Sequence, residues 1–308
     1  METDIPRERE AMPTEAPLPP ANSAGERIAI IVDSCCDVLP SYLEKYPFFV
    51  IPVMLNYPDR SYLDRVDITP AEVYARFPDE IPKTSTPTPA HVYDMFEKVV
   101  AAGYTHAICV NMSSALSSTA AVMEAVAVDY PQLTCAVIDT LNIGIGAGIN
   151  AMYAAELMER GLLFADIVEI CRDIVPATRI FIIPNGLEYL HKGGRINSTV
   201  YQLGTMLNLC PIITCDTNGY YAVCGKAHGR RKALKKAFDL AKKAVVPDAK
   251  FRVVMAQGAA EEDYRPLFNS LPDEFPDATE YIDGLDLSPA LVVHTGPGLI
   301  GIVVQNFA

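Results

Sequence analysis

Three apolar runs recur through the first half of the chain, Arg27–Ser34 (RIAIIVDS), His106–Ser114 (HAICVNMSS) and Leu133–Asp139 (LTCAVID). Stretches with helical spacing separate them. Each run is almost unbroken in aliphatic residues and closes on Asp, Asn or Ser. A strand without polar alternation is covered on both faces, and strands joined through helices lie parallel. A helix is expected from about Pro89, with Thr88 as N-cap and Pro89 at the first helical position. Others are expected over Ser117–Val128, over the small-residue segment that opens at Ile143, and over Phe164–Ile174. PFFVIPVMLNY (Pro47–Tyr57) reads as one further strand. The class is α/β, with a mainly parallel sheet flanked by helices over residues 27–178.

The pattern changes from Arg179 onward. PIITCDTNGYYAV places Asn218-Gly219 between two β runs, which is a hairpin signal. RKALKKAFDLAKKAV has the apolar stripe of an amphipathic helix, with Leu234, Ala237, Phe238, Ala241 and Val245 on one side. FRVVMAQG, ATEYIDGLD and GLIGIVVQNF supply more strands. Residues 179–308 therefore read as a smaller α+β C-terminal domain with antiparallel pairing. Residues 1–26, rich in Pro, Glu and Arg, read as a disordered leader.

Charge narrows the function. With 25 Lys and Arg against 38 Asp and Glu, the net charge is −13. Phosphate backbones and anionic bilayers attract basic surfaces, so neither nucleic acid nor stable membrane insertion is expected. The longest uncharged stretches, Ile196–Cys215 and Leu287–Ala308, are broken by Asn, Thr, Gly and Pro. The 8 cysteines include no CxxC pair. They suit buried thiols in a reducing cytoplasm, and no metal or cofactor is expected. Gly144, Gly146 and Gly148 miss the dinucleotide fingerprint because Ile149 stands where it needs Gly or Ala. There is no P-loop and no nucleophile elbow.

The strand ends offer hydroxyls instead. KTSTPTP (Lys83–Pro89) and SSALSST (Ser113–Thr119) each run into an expected helix. Two helix N-termini with Ser and Thr donors would hold an anion; the same residues also make ordinary N-caps. HTGPGLIG sets His294 beside a Gly-Pro-Gly loop. LEYLHKGGRIN sets Gly193-Gly194 before Arg195. The basic residues of Lys226–Lys243 make either a solvated helix face or a docking patch for an acidic partner. A serine-hydrolase-like enzyme using Ser117 and His294, and a regulatory module for another small anion, stay open as readings.

Five of these segments, in order, resemble the DegV family of fatty-acid-binding proteins, the lipid-carrying subunits of bacterial fatty acid kinase. IVDSCCDVLP resembles the family's DSxxDLP, KTSTPTP its TSxPxP, SSALSST its SSxLSGT, LEYLHKGGRI its LxxLxKGGRI, and HTGPGLIG its HxGPGxxG. The resemblance implies a long-chain fatty acid held between and within the two domains. Its carboxyl group would be bound by Thr84, Ser85, Ser117 and His294. A separate fatty acid kinase subunit with its own ATP site would convert that carboxyl to an acyl-phosphate. No catalytic residue is implied in this chain. Arg195 and Ser118 would contact the head group or the partner. Ser118 replaces the Gly of LSGT, and Cys35-Cys36 replaces a Thr-Ala type pair. At ~0.8 kcal/mol per buried methylene, a palmitoyl-length tail contributes on the order of 10 kcal/mol before entropy costs. Hydroxyl donors would offset the cost of burying its carboxylate.

Overall fold

The computed structural model of the protein describes residues 20–198, 201–202 and 209–307. Most of the expected leader, residues 1–19, and part of the Ile196–Cys215 stretch lie outside them. The end of that leader is tied down rather than disordered. Asn22 donates to Leu162 O, and Glu26 Oε2 accepts from Phe164 N at 2.8 Å. Glu26 thereby supplies the acceptor that Leu163 does not give the Phe164–Ile174 helix.

The first sheet is four-stranded and parallel, in the order β2-β1-β6-β7. Its strands are β1 (Ile28–Asp33), β2 (Phe48–Ile51), β6 (His106–Asn111) and β7 (Thr134–Asp139). Between them, β3 (Met54–Asn56), β4 (Ser61–Leu63) and β5 (Lys83–Ser85) make a small antiparallel sheet, β4-β3-β5. The expected single strand over Pro47–Tyr57 is thus two strands in two sheets. Pro52 has no N–H for the ladder, and Val53 N donates to Ser34 Oγ instead. The chain leaves the first sheet there.

The second sheet has six strands, β10-β9-β8-β13-β11-β12. They are β8 (Thr178–Ile183), β9 (Leu209–Cys215), β10 (Tyr221–His228), β11 (Lys250–Gly258), β12 (Glu280–Asp286) and β13 (Leu299–Phe307). Pairing is antiparallel except between β11 and β12, which are parallel. The Asn218-Gly219 turn joins β9 to β10, with the Asp216 carboxylate accepting from Asn218 N and Tyr220 N.

Helices Pro89–Ala101 and Thr119–Ala127 cover the outer face of the first sheet. Arg230–Lys243 and Glu261–Asn269 cover the outer face of the second. Ile145–Glu159 and Phe164–Ile174 lie between the sheets. That position explains why Ile145–Glu159 is apolar all round: a sheet packs on each side of it. Its glycines serve close packing, since a Cβ on Gly148 would stand 2.0 Å from Cys36 O. Arg230–Lys243 buries Leu234, Ala237, Phe238 and Ala241, the expected stripe. Two of its basic residues are spent on ion pairs, Arg230 with Asp263 and Lys242 with Glu274.

Candidate functional site

The loops that carry the candidate residues leave different elements and meet at one place. Asp33, at the carboxyl end of β1, ties the first two together. Its carboxylate accepts from Cys35 N at 3.0 Å, Met112 N at 2.9 Å and Asn111 Nδ2 at 3.3 Å. Burial pushes its pKa up to about 6. The loop after β6 then turns on Ser113, whose Oγ donates to Gly219 O at the tip of the β9–β10 hairpin. The second sheet thereby braces the loop that bears Ser117 and Ser118.

His294, beside the Gly-Pro-Gly loop, lies in the last turn of a helix, Pro289–Thr295. Ser288 is the N-cap and accepts from Leu291 N. Two buried aspartates from the N-terminal part hold this helix start. Asp64 Oδ1 accepts from Ala290 N at 3.0 Å, and Asp37 Oδ1 accepts from Ser288 N at 3.1 Å. Asp37 also pairs with Arg65 at 2.7 Å. Burial raises the pKa of both acids, with Asp37 reaching about 7 despite Arg65. Sequence reading did not assign these roles to Asp37 and Asp64; only Asp37 fell inside a recognised segment.

Thr84 and Ser85 were expected just ahead of a helix N-terminus, but they sit on β5, at the edge of the small sheet. The helix start there is taken by Thr88, whose Oγ1 accepts from His91 N and caps Pro89–Ala101. Strand alternation divides the two residues. Thr84 turns inward and Ser85 is exposed, where its Oγ accepts from Asn56 Nδ2 at 3.1 Å.

A cavity of about 210 Å³ joins these segments, and Thr84, Ser85, Ser117, Ser118, Arg195 and His294 all line it. Thr86, Cys35 and Tyr221 line it as well. Thr84 Oγ1 lies 2.7 Å from His294 Nε2. Burial, with the positive charge of Arg195 second, lowers the His294 pKa to about 3, so the ring is neutral. Its Nδ1 is buried without a partner among the described residues, and a Cβ on Gly193 would stand 2.1 Å from that atom. The glycine is what lets the turn after Glu188–Lys192 close over the imidazole. Arg195 Nη1 donates to Gly193 O at 2.8 Å and Nη2 to Leu116 O at 3.2 Å. It bridges the turn over His294 to the loop bearing Ser117.

Ser117 Oγ is bonded to Thr119 Oγ1 at 2.8 Å, not to His294. The nucleophile–base hydrogen bond that acyl transfer needs is therefore not made. Ser118 takes the N-cap position of Thr119–Ala127 without a side-chain cap bond, and it is exposed at the cavity mouth. Behind the cavity lies a second, narrow one of about 30 Å³, walled by Ile145, Ile180, Ile182, Leu287 and Leu299 among others. Ile143, Tyr221 and Leu291 belong to both walls. A chamber with polar lining thus shares a wall with an aliphatic slot. Among the described residues, no cluster of His, Cys, Asp or Glu is placed to hold a metal ion, and no helix is long and apolar enough to cross a membrane.

Comparison with known proteins gives one consistent result. The family model that matches is that of the DegV family, described as uncharacterised proteins, and it takes in residues 27–306. A DegV domain-containing protein of Clostridium acetobutylicum is 32% identical over 279 residues, which is 91% of this chain and 99% of the relative. A fatty-acid-binding DegV family protein from Thermus thermophilus superposes with a TM-score of 0.84 at 24% identity, covering 91% of this chain and 100% of that one. A stearic-acid-binding protein from Eubacterium ventriosum superposes with a TM-score of 0.83 at 25% identity, covering 91% and 98%.

Proposed function

The chain belongs to the DegV family, and we propose that it binds a long-chain fatty acid and presents the carboxyl group to a separate ATP-dependent kinase subunit. In this reading Thr84, Ser85 and Ser117 donate to the carboxylate, and His294 supports Thr84. Arg195 and Ser118 stand at the mouth, where the phosphoryl group arrives or the kinase docks. The tail runs inward through the aliphatic slot, which widens by side-chain movement as the chain enters. The chain itself supplies no ATP chemistry and works in the cytoplasm of a bacterium.

One observation carries the reading: segments from β5, the loop after β6, the Gly193–Arg195 turn and the Pro289–Thr295 helix all converge on one chamber that shares a wall with a carbon-lined slot. Hydroxyls suit the head group because they donate without adding a buried charge. A neutral His294 fits the same logic. Affinity then comes from the tail, and the chamber fixes which end faces out.

Native mass spectrometry of the purified full chain tests the binding step, with a co-purifying C14–C18 acid as the expected result. A clean unliganded mass that added fatty acid does not shift would overturn it. Presentation is tested by ATP-dependent formation of acyl-phosphate, which should need both this chain and the kinase subunit.

A further inference from the structure

The chamber carries more donors than a carboxylate can use. An ionised carboxylate offers about four lone-pair positions. Thr84, Ser85, Thr86, Ser117, Ser118 and Tyr221 bring hydroxyls to the cavity, beside the Arg195 guanidinium. Ser85 and Ser118 are exposed, so the surplus at the mouth has an outlet toward solvent or an incoming phosphoryl group.

Tyr221 has no such outlet. It comes from β10 and forms, with Ile143 and Leu291, the wall shared by chamber and slot. The slot surface is almost entirely carbon, and its other hydroxyl, that of Thr295, donates to Leu291 O. Among the described residues, Tyr221 thus carries the one hydroxyl on the wall that chamber and slot share. Its oxygen has no hydrogen-bond partner among the described residues and is not fully enclosed. Burial, with Cys215 next, raises its pKa above the ordinary phenol value, so it is a neutral donor.

We propose that the chamber selects acyl chains carrying a second oxygen, a hydroxyl at the 2- or 3-position, and that Tyr221 is the residue that reads it. This rests on the fatty-acid reading and narrows its substrate class to hydroxy fatty acids. A plain chain sets methylene against the phenol and displaces the water that would otherwise partner it. A hydroxyl near the carboxyl accepts from the phenol at the level where the head group gives way to the tail. Sites built to bond a substrate hydroxyl discriminate against the analogue that lacks it.

The test is a competition titration of the full chain with hexadecanoic, 2-hydroxyhexadecanoic and 3-hydroxyhexadecanoic acids against a fluorescent fatty acid, with Tyr221→Phe in parallel. One hydroxy acid is expected to bind the wild type about tenfold more tightly than the plain acid. Tyr221→Phe should level the two, bringing the ratio of their affinities to about one. Equal binding of all three acids by the wild type overturns this inference and leaves the fatty-acid reading standing. A preference that survives in Tyr221→Phe also overturns it. So does loss of hexadecanoic acid binding in that variant, which would make the phenol a carboxyl ligand. Failure of the wild type to bind any of the acids overturns both readings. If Tyr221→Phe does not fold, Tyr221→Leu takes its place, and the wild-type ranking by itself still tests the preference for a hydroxy acid.

Discussion

Thr84 Oγ1 and His294 Nε2 are 2.7 Å apart although 210 positions separate the residues in sequence. Because burial keeps the imidazole neutral, one partner donates and the other accepts. The tautomer with its proton on Nε2 makes Thr84 the acceptor. That leaves the Thr84 O–H free to turn toward a ligand oxygen.

If the pair acts as one donor, its halves are not independent. Thr84→Val and His294→Ala should each weaken fatty-acid binding about tenfold, the scale of one hydrogen bond. The double variant should bind about as well as either single one. Displacement titration of the four proteins gives the coupling, and losses that simply multiply would show two separate contacts.

Gly193 is required by contact rather than by its dihedral angles. A methyl group there would stand 2.1 Å from His294 Nδ1 and 3.1 Å from Tyr189 O. Gly193→Ala should push the ring off Thr84 and reduce affinity by a similar factor. Adding Gly193→Ala to His294→Ala should then cost little more. A full further loss in that double variant would mean the turn itself, not the imidazole, holds the ligand.

Much of this was legible in the sequence. Unbroken apolar strands gave the parallel sheet, and Asn218-Gly219 gave the hairpin. The hydroxyl-rich segments all reached the chamber. Three features were hidden for physical reasons. Pro52 splits one apolar run between two sheets, and nothing local says where the second half pairs. The Pro289–Thr295 helix follows a Ser-Pro start signal, but it is only seven residues long and β-branched at Val292 and Val293, too short for a helical period to stand out. Asp37 and Asp64 look like ordinary loop acids until the fold brings a helix N-terminus 226 positions away from Asp64 onto its carboxylate.

That contact has a measurable consequence for stability. Asp64 Oδ1 accepts from Ala290 N in the buried interior, so Asp64→Ala leaves an unpaired amide there. The expected loss is about 1–3 kcal/mol, read as a lower urea midpoint at unchanged slope. Asp64→Asn keeps an acceptor oxygen at the same place and should lose much less. Equal losses would point to the charge, not the hydrogen bond, as what Asp64 contributes.

The ionisable groups around the chamber pull stability in opposite directions with pH. His294 titrates at about 3 in the folded protein, below the ordinary 6.5. Between those values the unfolded chain holds a proton that the native one does not. The His294 contribution is therefore present above about pH 6.5 and is lost as pH falls toward 3. Asp33 and Asp37 run the other way, with folded values of about 6 and about 7 against an ordinary 3.8. Their protonated forms favour the native state, and that contribution fades as pH rises through 6 to 7. Replacing His294 with Ala removes only the first effect. The stability gap between wild type and His294→Ala should narrow as pH drops from about 7 to about 5, followed by urea unfolding at each pH. Over the same interval the His294 ring signals in an NMR titration should stay at their neutral positions. A midpoint near 6.5 would place the ring in contact with bulk water; the added proton would then sit on Nδ1, leaving the Nε2–H that donates to Thr84 in place and bringing a positive charge beside the ligand at mildly acidic pH.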